Sequence, residues 1–245
     1  MLTFGGAYSN HIHAVAAAGR LLGFETIGVI RGERAPVLSP TLVYAESQGM
    51  TLHFVTRQAY NNKAENDFVA NLKNICGDFY LIPEGGSNAL ALTGVNEVID
   101  EIDRQLPGAD YVCSACGTGG TLAGLVSVST ERKRSIIGFP VLKNASWMYQ
   151  DILALLNKVE IENWSLKLDY HFGGYAKYDS VVTEFIRKFK TEFSIQLEPI
   201  YTGKMMFGIF DLIKKGDFPE GSTIVALHTG GLQGLAGIEQ LKTGN

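Results

Sequence analysis

The sequence has 245 residues and a mass of 26.7 kDa, with 46% hydrophobic residues, 19% charged residues and a formal net charge of −4. This length suits one large domain or two small ones, and this composition is typical of a folded globular protein. The basic residues are scattered, which argues against a nucleic-acid partner. Because the chain shows neither an apolar run of about 18 residues nor a signal peptide, we predict a cytoplasmic protein without a membrane span.

Short β-rich runs alternate with helical patterns along the chain. The runs cover residues 26–32, 51–56, 78–83, 110–115, 135–141 and 222–229. Between them, apolar residues recur at helical spacing, as in 88–106 and 180–193. This alternation is typical of βαβ units and predicts an α/β protein with mostly parallel sheets.

The first helix is predicted to begin at Ser9 or Asn10 and to end at Gly23, since the first two are good helix caps and glycine commonly ends a helix. If residues 2–4 end a strand, the stretch GGAYSNH at 5–11 is a strand-to-helix turn. Its hydroxyl, amide and N–H groups suit a carboxylate or a phenolic oxygen. A helix cap that binds no ligand explains the same residues equally well.

The strongest local signal is DYVCSACGTGGTLAGLV at 110–126, an apolar strand, a glycine-rich turn and a helix that opens at 119–121. Free N–H groups at such a helix start form an anion site, so we predict a phosphate there. A Walker A loop requires a lysine after the last glycine, where Thr121 stands, and the dinucleotide pattern requires a third glycine, where Leu122 stands. A connection that binds nothing stays an alternative.

Three cysteines, Cys76, Cys113 and Cys116, are too few for a disulfide framework. The last two form a C-x-x-C, but no second cysteine pair or histidine pair accompanies it, as a zinc site would need. We therefore interpret the cysteines as structural.

Two further polar loops follow predicted elements near the end of the chain, LEPIYTGKMMFG at 197–208 and LHTGG at 227–231. Loops at the carboxyl ends of parallel strands line the ligand crevice, so we expect 228–231 beside the glycine-rich turn.

Five stretches in order, LTFGGAYSNH, PEGGSNALALTG, CGTGGTLAGL, EPIYTGKMM and ALHTGG, resemble the pyridoxal-phosphate-dependent family of 1-aminocyclopropane-1-carboxylate deaminase and D-cysteine desulfhydrase. The resemblance runs over nearly the whole chain. It implies the tryptophan-synthase-β-like architecture (fold type II), with two three-layer α/β/α domains, and a homodimer. We expect a small α/β domain at 1–93 and, at 94–245, a larger cofactor-binding domain that lacks its N-terminal part.

The resemblance also implies roles for individual residues. Asn10 would hydrogen-bond the phenolic oxygen of the cofactor, and Ser9 would bind the substrate carboxylate or act in proton transfer. The cofactor phosphate would be bound by the loop that begins at Ser114 and centres on Gly117, Thr118, Gly119, Gly120 and Thr121.

Two tyrosines are candidates for the substrate side of the site. Tyr201 would act as a polar or acid–base group, with Tyr175 as a second tyrosine, although this chain has Ala176 where the family has a glycine. Thr202 resembles the residue that faces the pyridine nitrogen, which is a glutamate in the deaminases and a threonine in the desulfhydrases. A hydroxyl there favours a neutral pyridine and thus the less demanding elimination of sulfide. A plain helix-capping role for Thr202 stays open.

In this family the lysine that holds the cofactor as an imine lies upstream of the GGAYSN-type loop, and hence before the first residue of this sequence. The lysine nearest to a cofactor loop here is Lys204, but the relatives carry a lysine there in addition to the imine lysine. We therefore expect a truncated chain that lacks normal turnover, and a complete but degenerate homologue stays the alternative.

The leading function is β-elimination of D-cysteine to pyruvate, ammonia and sulfide. Ring-opening deamination of 1-aminocyclopropane-1-carboxylate is the alternative within the family. A non-catalytic protein that binds pyridoxal phosphate or another phosphate ligand is an alternative of a different class. A nucleotide-dependent oxidoreductase is disfavoured by Leu122.

Overall fold

The computed structural model of the chain describes residues 1–129, 134–157 and 161–235. Two compact units are present: residues 1–86 with the described residues 233–235, and residues 87–232. Each unit is built around a parallel β-sheet, so the prediction of two α/β bodies is confirmed. The domain limits at 93 and 94 stay a prediction.

The first unit has four parallel strands in the order β3-β2-β1-β4. They are β1 Leu2–Gly5, β2 Ile27–Arg31, β3 Thr51–Val55 and β4 Leu81–Ile82. The helices are α1 Asn10–Leu22, α2 Pro40–Ser47, α3 Arg57–Asn61 and α4 Asn66–Cys76. Because successive strand residues face opposite sides, Val29 packs with Tyr60 on one face while Ile30 packs with Ile12 on the other.

The second unit has four parallel strands in the order β7-β6-β5-β8. They are β5 Tyr111–Cys116, β6 Ser135–Pro140, β7 Trp164–Leu166 and β8 Ile224–Ala226. The helices are α5 Ala89–Gln105, α6 Gly120–Ser127, α7 Met148–Leu155, α8 Ser180–Phe193 and α9 Thr202–Lys215.

The first predicted helix is confirmed at both ends. Ser9 is the N-cap of α1, and its oxygen accepts a hydrogen bond from the Ile12 N–H. Gly23 ends the helix with a φ of 76°, a left-handed conformation that costs glycine little.

The two C-x-x-C cysteines lie within strand β5 and not at a helix start. Cys113 and Cys116 are three residues apart and therefore face opposite sides of the sheet, where they join different core clusters. Burial raises the pKa of both thiols to about 12, so they are poor nucleophiles and poor metal ligands. This environment supports the structural interpretation. In the described ranges no group of three metal-ligating side chains occurs, and no helix is long and apolar enough to cross a bilayer.

Candidate cofactor site

The glycine-rich turn joins the carboxyl end of β5 to the start of α6. Gly119 is the N-cap and has a φ of 86°, which is why a glycine stands there. The first N–H groups of a helix have no partner inside the helix, and no side chain caps α6 in the described part of the chain. These donors, at the positive end of the helix dipole, are therefore available to an anion.

The space around these donors is lined by glycines of the turn and by Ser87, and we call residues 117–121 with Ser87 the phosphate cradle. A Cβ atom on Gly120 would lie 2.4 Å from the Ser87 oxygen, and one on Gly117 would lie 3.2 Å from the Tyr201 hydroxyl oxygen. Ser87 also shares a hydrogen bond of 2.6 Å with the Thr118 hydroxyl. The sequence-based interpretation missed Ser87, although it stands beside the glycine pair of PEGGSN.

The N-terminus of helix α5, its positive end, lies beside the glycine turn at the start of α6. It starts two residues after Ser87, which contacts Gly120, and further along Val95 contacts Gly124. Because these contacts follow the same order in both helices, α5 and α6 run parallel with their N-termini side by side. The Asn88 side chain caps α5 by accepting from the Ala91 N–H at 2.8 Å, so α5 adds its dipole to the site while α6 supplies the free N–H donors.

Ser114, the first residue of the predicted phosphate loop, lies inside strand β5. Its side chain is fully buried, and its hydroxyl donates to the Ala115 carbonyl at 3.3 Å. Its contribution to phosphate binding stays a prediction, since the helix start lies six residues further along the chain.

The two candidate tyrosines lie together. The rings of Tyr175 and Tyr201 meet edge to face, with centroids 6.1 Å apart and planes at 72°. Since the Tyr201 hydroxyl lies over Gly117, the pair borders the glycine turn. Ala176 has a φ of 56°, the left-handed region in which glycine is favoured, which is the backbone geometry expected where the resembling family carries glycine.

A buried carboxylate organises the start of α9. The Glu198 side chain accepts hydrogen bonds from the N–H groups of Ile200 (2.7 Å), Tyr201 (2.8 Å) and Thr202 (2.6 Å). It also contacts the Thr202 hydroxyl at 3.1 Å. Since a carboxylate only accepts, the hydroxyl must donate its proton to Glu198. Thr202, which is itself fully buried, thus helps to cap α9, and its role toward a ring nitrogen stays a prediction.

Lys204 lies in the first turn of α9 and is only 1% exposed. Its Nζ donates to the carbonyl oxygens of His171 and Gly174, both at 2.8 Å. Burial lowers the pKa of Lys204 to about 8, and the negative charge of Glu198 opposes part of that shift. Sequence reasoning noted Lys204 as a lysine near a cofactor loop but could not show that its amine is occupied by two carbonyl groups.

The loop after β8 is ordered by His228. Its Nδ1 accepts from the Gly230 N–H at 3.2 Å, so its Nε2 carries the proton that is donated to the Gln196 carbonyl at 2.8 Å. Gly230 and Gly231 both have a φ of 85°, which explains the glycine pair that ends LHTGG.

In the first unit, Ser9 and Asn10 stand together at the start of α1. The turn before them requires Gly5, because a Cβ there would lie 2.5 Å from Ile12 and 2.8 Å from the Ser9 oxygen. The Gln233 amide donates to the Asn10 Oδ1 at 2.8 Å. This bond leaves the Asn10 nitrogen as a donor, which suits the phenolic oxygen predicted for it. Sequence reasoning missed Gln233, which is distant along the chain.

The profile of the pyridoxal-phosphate dependent enzyme family matches residues 2–230 of the chain. The chain belongs to this family. A cofactor with a 5′-phosphate fits the glycine turn. The turn offers the first N–H groups of α6 and the Thr118 hydroxyl, with the Ser87 hydroxyl beside it, and it carries glycines at positions where a side chain would fill the space.

Relatives within this family have names that match the resemblance seen in the sequence. A protein of Pyrococcus abyssi, provisionally named 1-aminocyclopropane-1-carboxylate deaminase, is 30% identical over 96% of this chain and 74% of its own length. The mitochondrial bifunctional D-cysteine desulfhydrase/1-aminocyclopropane-1-carboxylate deaminase of Arabidopsis thaliana is 30% identical over 96% of this chain and 64% of its own length. A crystal structure of an ACC deaminase homologue has a TM-score of 0.81 and 29% identity, and the match covers 98% of this chain and 77% of that one.

Proposed function

We propose that this member of the pyridoxal-phosphate family acts on a small amino acid by β-elimination or ring-opening deamination, with D-cysteine as the first substrate to test. The observation that carries the proposal is the phosphate cradle at the start of α6, bordered by the tyrosine pair. When bound, the cofactor supplies an electron sink for the charge that develops at the substrate's α-carbon.

Residues of the chain would bind the cofactor, bind the substrate and move protons. The first-turn N–H groups of α6 and the Thr118 hydroxyl would hold the phosphate, and Asn10 would donate to the phenolic oxygen. Ser9 would bind the substrate carboxylate or move a proton, and Tyr201 would hold or move a proton at the substrate. Tyr175 borders Tyr201 and would shape the same side of the site.

D-Cysteine is placed before 1-aminocyclopropane-1-carboxylate because a hydroxyl and not a carboxylate stands at position 202. Thr202 is buried and gives its one hydroxyl proton to Glu198, so it has no proton to donate to a ring nitrogen. The names of the relatives support both substrates equally. Pyruvate and sulfide would identify D-cysteine elimination, whereas 2-oxobutanoate would identify ring opening.

The binding experiment uses equilibrium dialysis of the purified 245-residue chain with pyridoxal phosphate. Saturable binding at one site per chain supports the proposal, and the absence of binding by a folded chain contradicts it. Borohydride reduction followed by peptide mass spectrometry then shows whether any lysine is covalently linked to the cofactor. We expect Lys204 to stay unmodified, since two carbonyl oxygens occupy its amine.

The activity experiment tests D-cysteine, L-cysteine and 1-aminocyclopropane-1-carboxylate with the cofactor-loaded chain. In parallel it tests the product of the whole open reading frame, as read from the genomic DNA around this sequence. Turnover by either product, with pyruvate and sulfide or with 2-oxobutanoate formed, supports the proposed function. Saturable binding with no turnover by either product instead supports a non-catalytic binding protein. The homodimer and the cytoplasmic location are carried forward as predictions, and light scattering tests the first.

A further inference from the structure

The segment 172–176 of the second unit has an unusual backbone. Four of its five residues have positive φ angles: Phe172 (49°), Gly173 (89°), Gly174 (116°) and Ala176 (56°). For residues with a side chain this conformation costs roughly 1–2 kcal/mol each. Such a turn persists only where surrounding contacts hold it.

Lys204 adds two side-chain contacts to the backbone bonds of this turn, which run from the Gly174 N–H to the His171 carbonyl (3.0 Å) and from the Lys177 N–H to the Gly174 carbonyl (3.1 Å). Its Nζ donates to the carbonyl oxygen of His171, which precedes the turn, and to that of Gly174 inside it, both at 2.8 Å. Hydrogen bonds from a cation are stronger than neutral ones, and at a side chain only 1% exposed they do not compete with bulk water. The nearby Glu198 supplies opposite charge. The Lys204 amine therefore joins the carbonyl groups of His171 and Gly174 and supports the turn between them.

The turn leads directly into Tyr175, whose ring meets Tyr201 edge to face. Tyr201 directly precedes α9, the helix that carries Lys204 three residues later. Lys204 is therefore bonded to the turn that carries Tyr175 and is itself carried by the helix that follows Tyr201. The pair borders Gly117 of the phosphate cradle.

We propose that Lys204 is a positioning residue that fixes Tyr175 against Tyr201 beside the glycine turn. The meaning of this arrangement for catalysis rests on the proposed function. The positioning itself is a property of the chain without cofactor and can be measured separately.

The test measures contacts between tyrosine rings by NMR on the chain with ring-13C-labelled tyrosine. Signals are assigned with Tyr175→Phe and Tyr201→Phe. We expect a ring-to-ring nuclear Overhauser effect between the two tyrosines in the native chain. Lys204→Met, which fills nearly the same volume without donors, should abolish this effect and speed amide exchange across 171–177 by at least about tenfold. Lys204→Arg, which keeps the cation, should restore at least part of the effect.

The matched control is Lys188→Met, because Lys188 is an exposed lysine of α8 in the same unit. It should leave both measurements unchanged. If Lys204→Met keeps the ring contact and the slow exchange, Lys204 only fills space and the proposal is wrong.

If that variant does not fold, the same comparison is made with Ala176→Gly as the parent chain, since glycine relieves part of the strain in the turn. Failure of cofactor binding with an intact ring contact would contradict the proposed function and not the positioning role.

Discussion

The hydroxyl of Thr202 donates to the carboxylate of Glu198 at 3.1 Å, inside a cap that also receives three backbone N–H groups. Glu198 is 2% exposed, so water cannot replace these bonds. We expect Glu198→Gln to lower the free energy of unfolding by about 2 kcal/mol. The amide NH₂ of glutamine is a donor, and it would face the backbone N–H groups that now donate to the carboxylate. Urea unfolding measures the change.

The control for this cap is Glu192→Gln, which alters an exposed glutamate of α8. It should change the free energy of unfolding by about 0.5 kcal/mol or less. Equal effects of the two substitutions would show that the Glu198 cap contributes no specific stability.

The left-handed backbone of Ala176 predicts a stabilising substitution. Ala176→Gly should raise the free energy of unfolding by about 0.5–1 kcal/mol, since glycine adopts a φ of 56° without steric cost but loses more chain entropy. Ala14→Gly, in an exposed position of α1, should lower it by about 1 kcal/mol. Thermal and urea unfolding of both variants test the opposite signs, and destabilisation by both would contradict the description of the turn.

The burial of Lys204 predicts a pH dependence of stability. Its pKa is lowered from 10.5 to about 8, so between these values the unfolded chain binds a proton that the folded chain does not. Stability contributed by this group therefore rises with pH across that window and is lost as the pH falls through about 8. The neutral amine keeps two N–H donors for the two carbonyls.

The measurement compares urea unfolding of the native chain and Lys204→Met from pH 7 to 10.5. Titration of the remaining groups cancels in the difference as long as the substitution leaves them undisturbed. The native chain should gain stability relative to the variant as the pH rises. A constant difference would show that the Lys204 pKa is unshifted.

The cysteines should differ in reactivity toward iodoacetamide at pH 8. Burial raises the pKa of Cys113 and Cys116 to about 12, whereas Cys76 is only half-buried. We expect Cys76 alone to be alkylated in the folded chain and all three to react in urea. Mass spectrometry of the peptides identifies the sites. Labelling of Cys113 as fast as Cys76 in the native chain would contradict the burial described for β5.

Much of the fold was predictable because its signals are local. The cap at Ser9, the end at Gly23, the helix over 180–193 and the strand before the glycine turn all follow from spacing and from residues with strong conformational preferences. Strand β7 was missed because three residues, Trp164–Leu166, carry too short a pattern. The run predicted at 78–83 forms a strand at only two residues, because only Leu81 and Ile82 pair with β1.

The site was predictable where a motif carries it and not where contacts join distant residues. The glycine turn follows from its own sequence, but the hydrogen bond between Ser87 and Thr118 links residues 31 apart. The bond from Gln233 to Asn10 spans nearly the whole chain. The sequence places Lys204 near a cofactor loop, but it does not show which groups the amine binds. Its partners are backbone carbonyl groups, which every residue carries.

The central claim is that the glycine turn at the start of α6 binds the phosphate of the cofactor. The most direct test compares pyridoxamine 5′-phosphate with pyridoxamine by titration calorimetry, since neither amine forms an imine with lysine. The phosphorylated ligand should bind at least about tenfold more tightly, through charge-assisted hydrogen bonds to helix N–H groups. Gly120→Ala, whose Cβ would lie 2.4 Å from the Ser87 oxygen, should reduce that preference while the chain stays folded. Equal affinity for the two ligands, or an unchanged preference in Gly120→Ala, would contradict the claim.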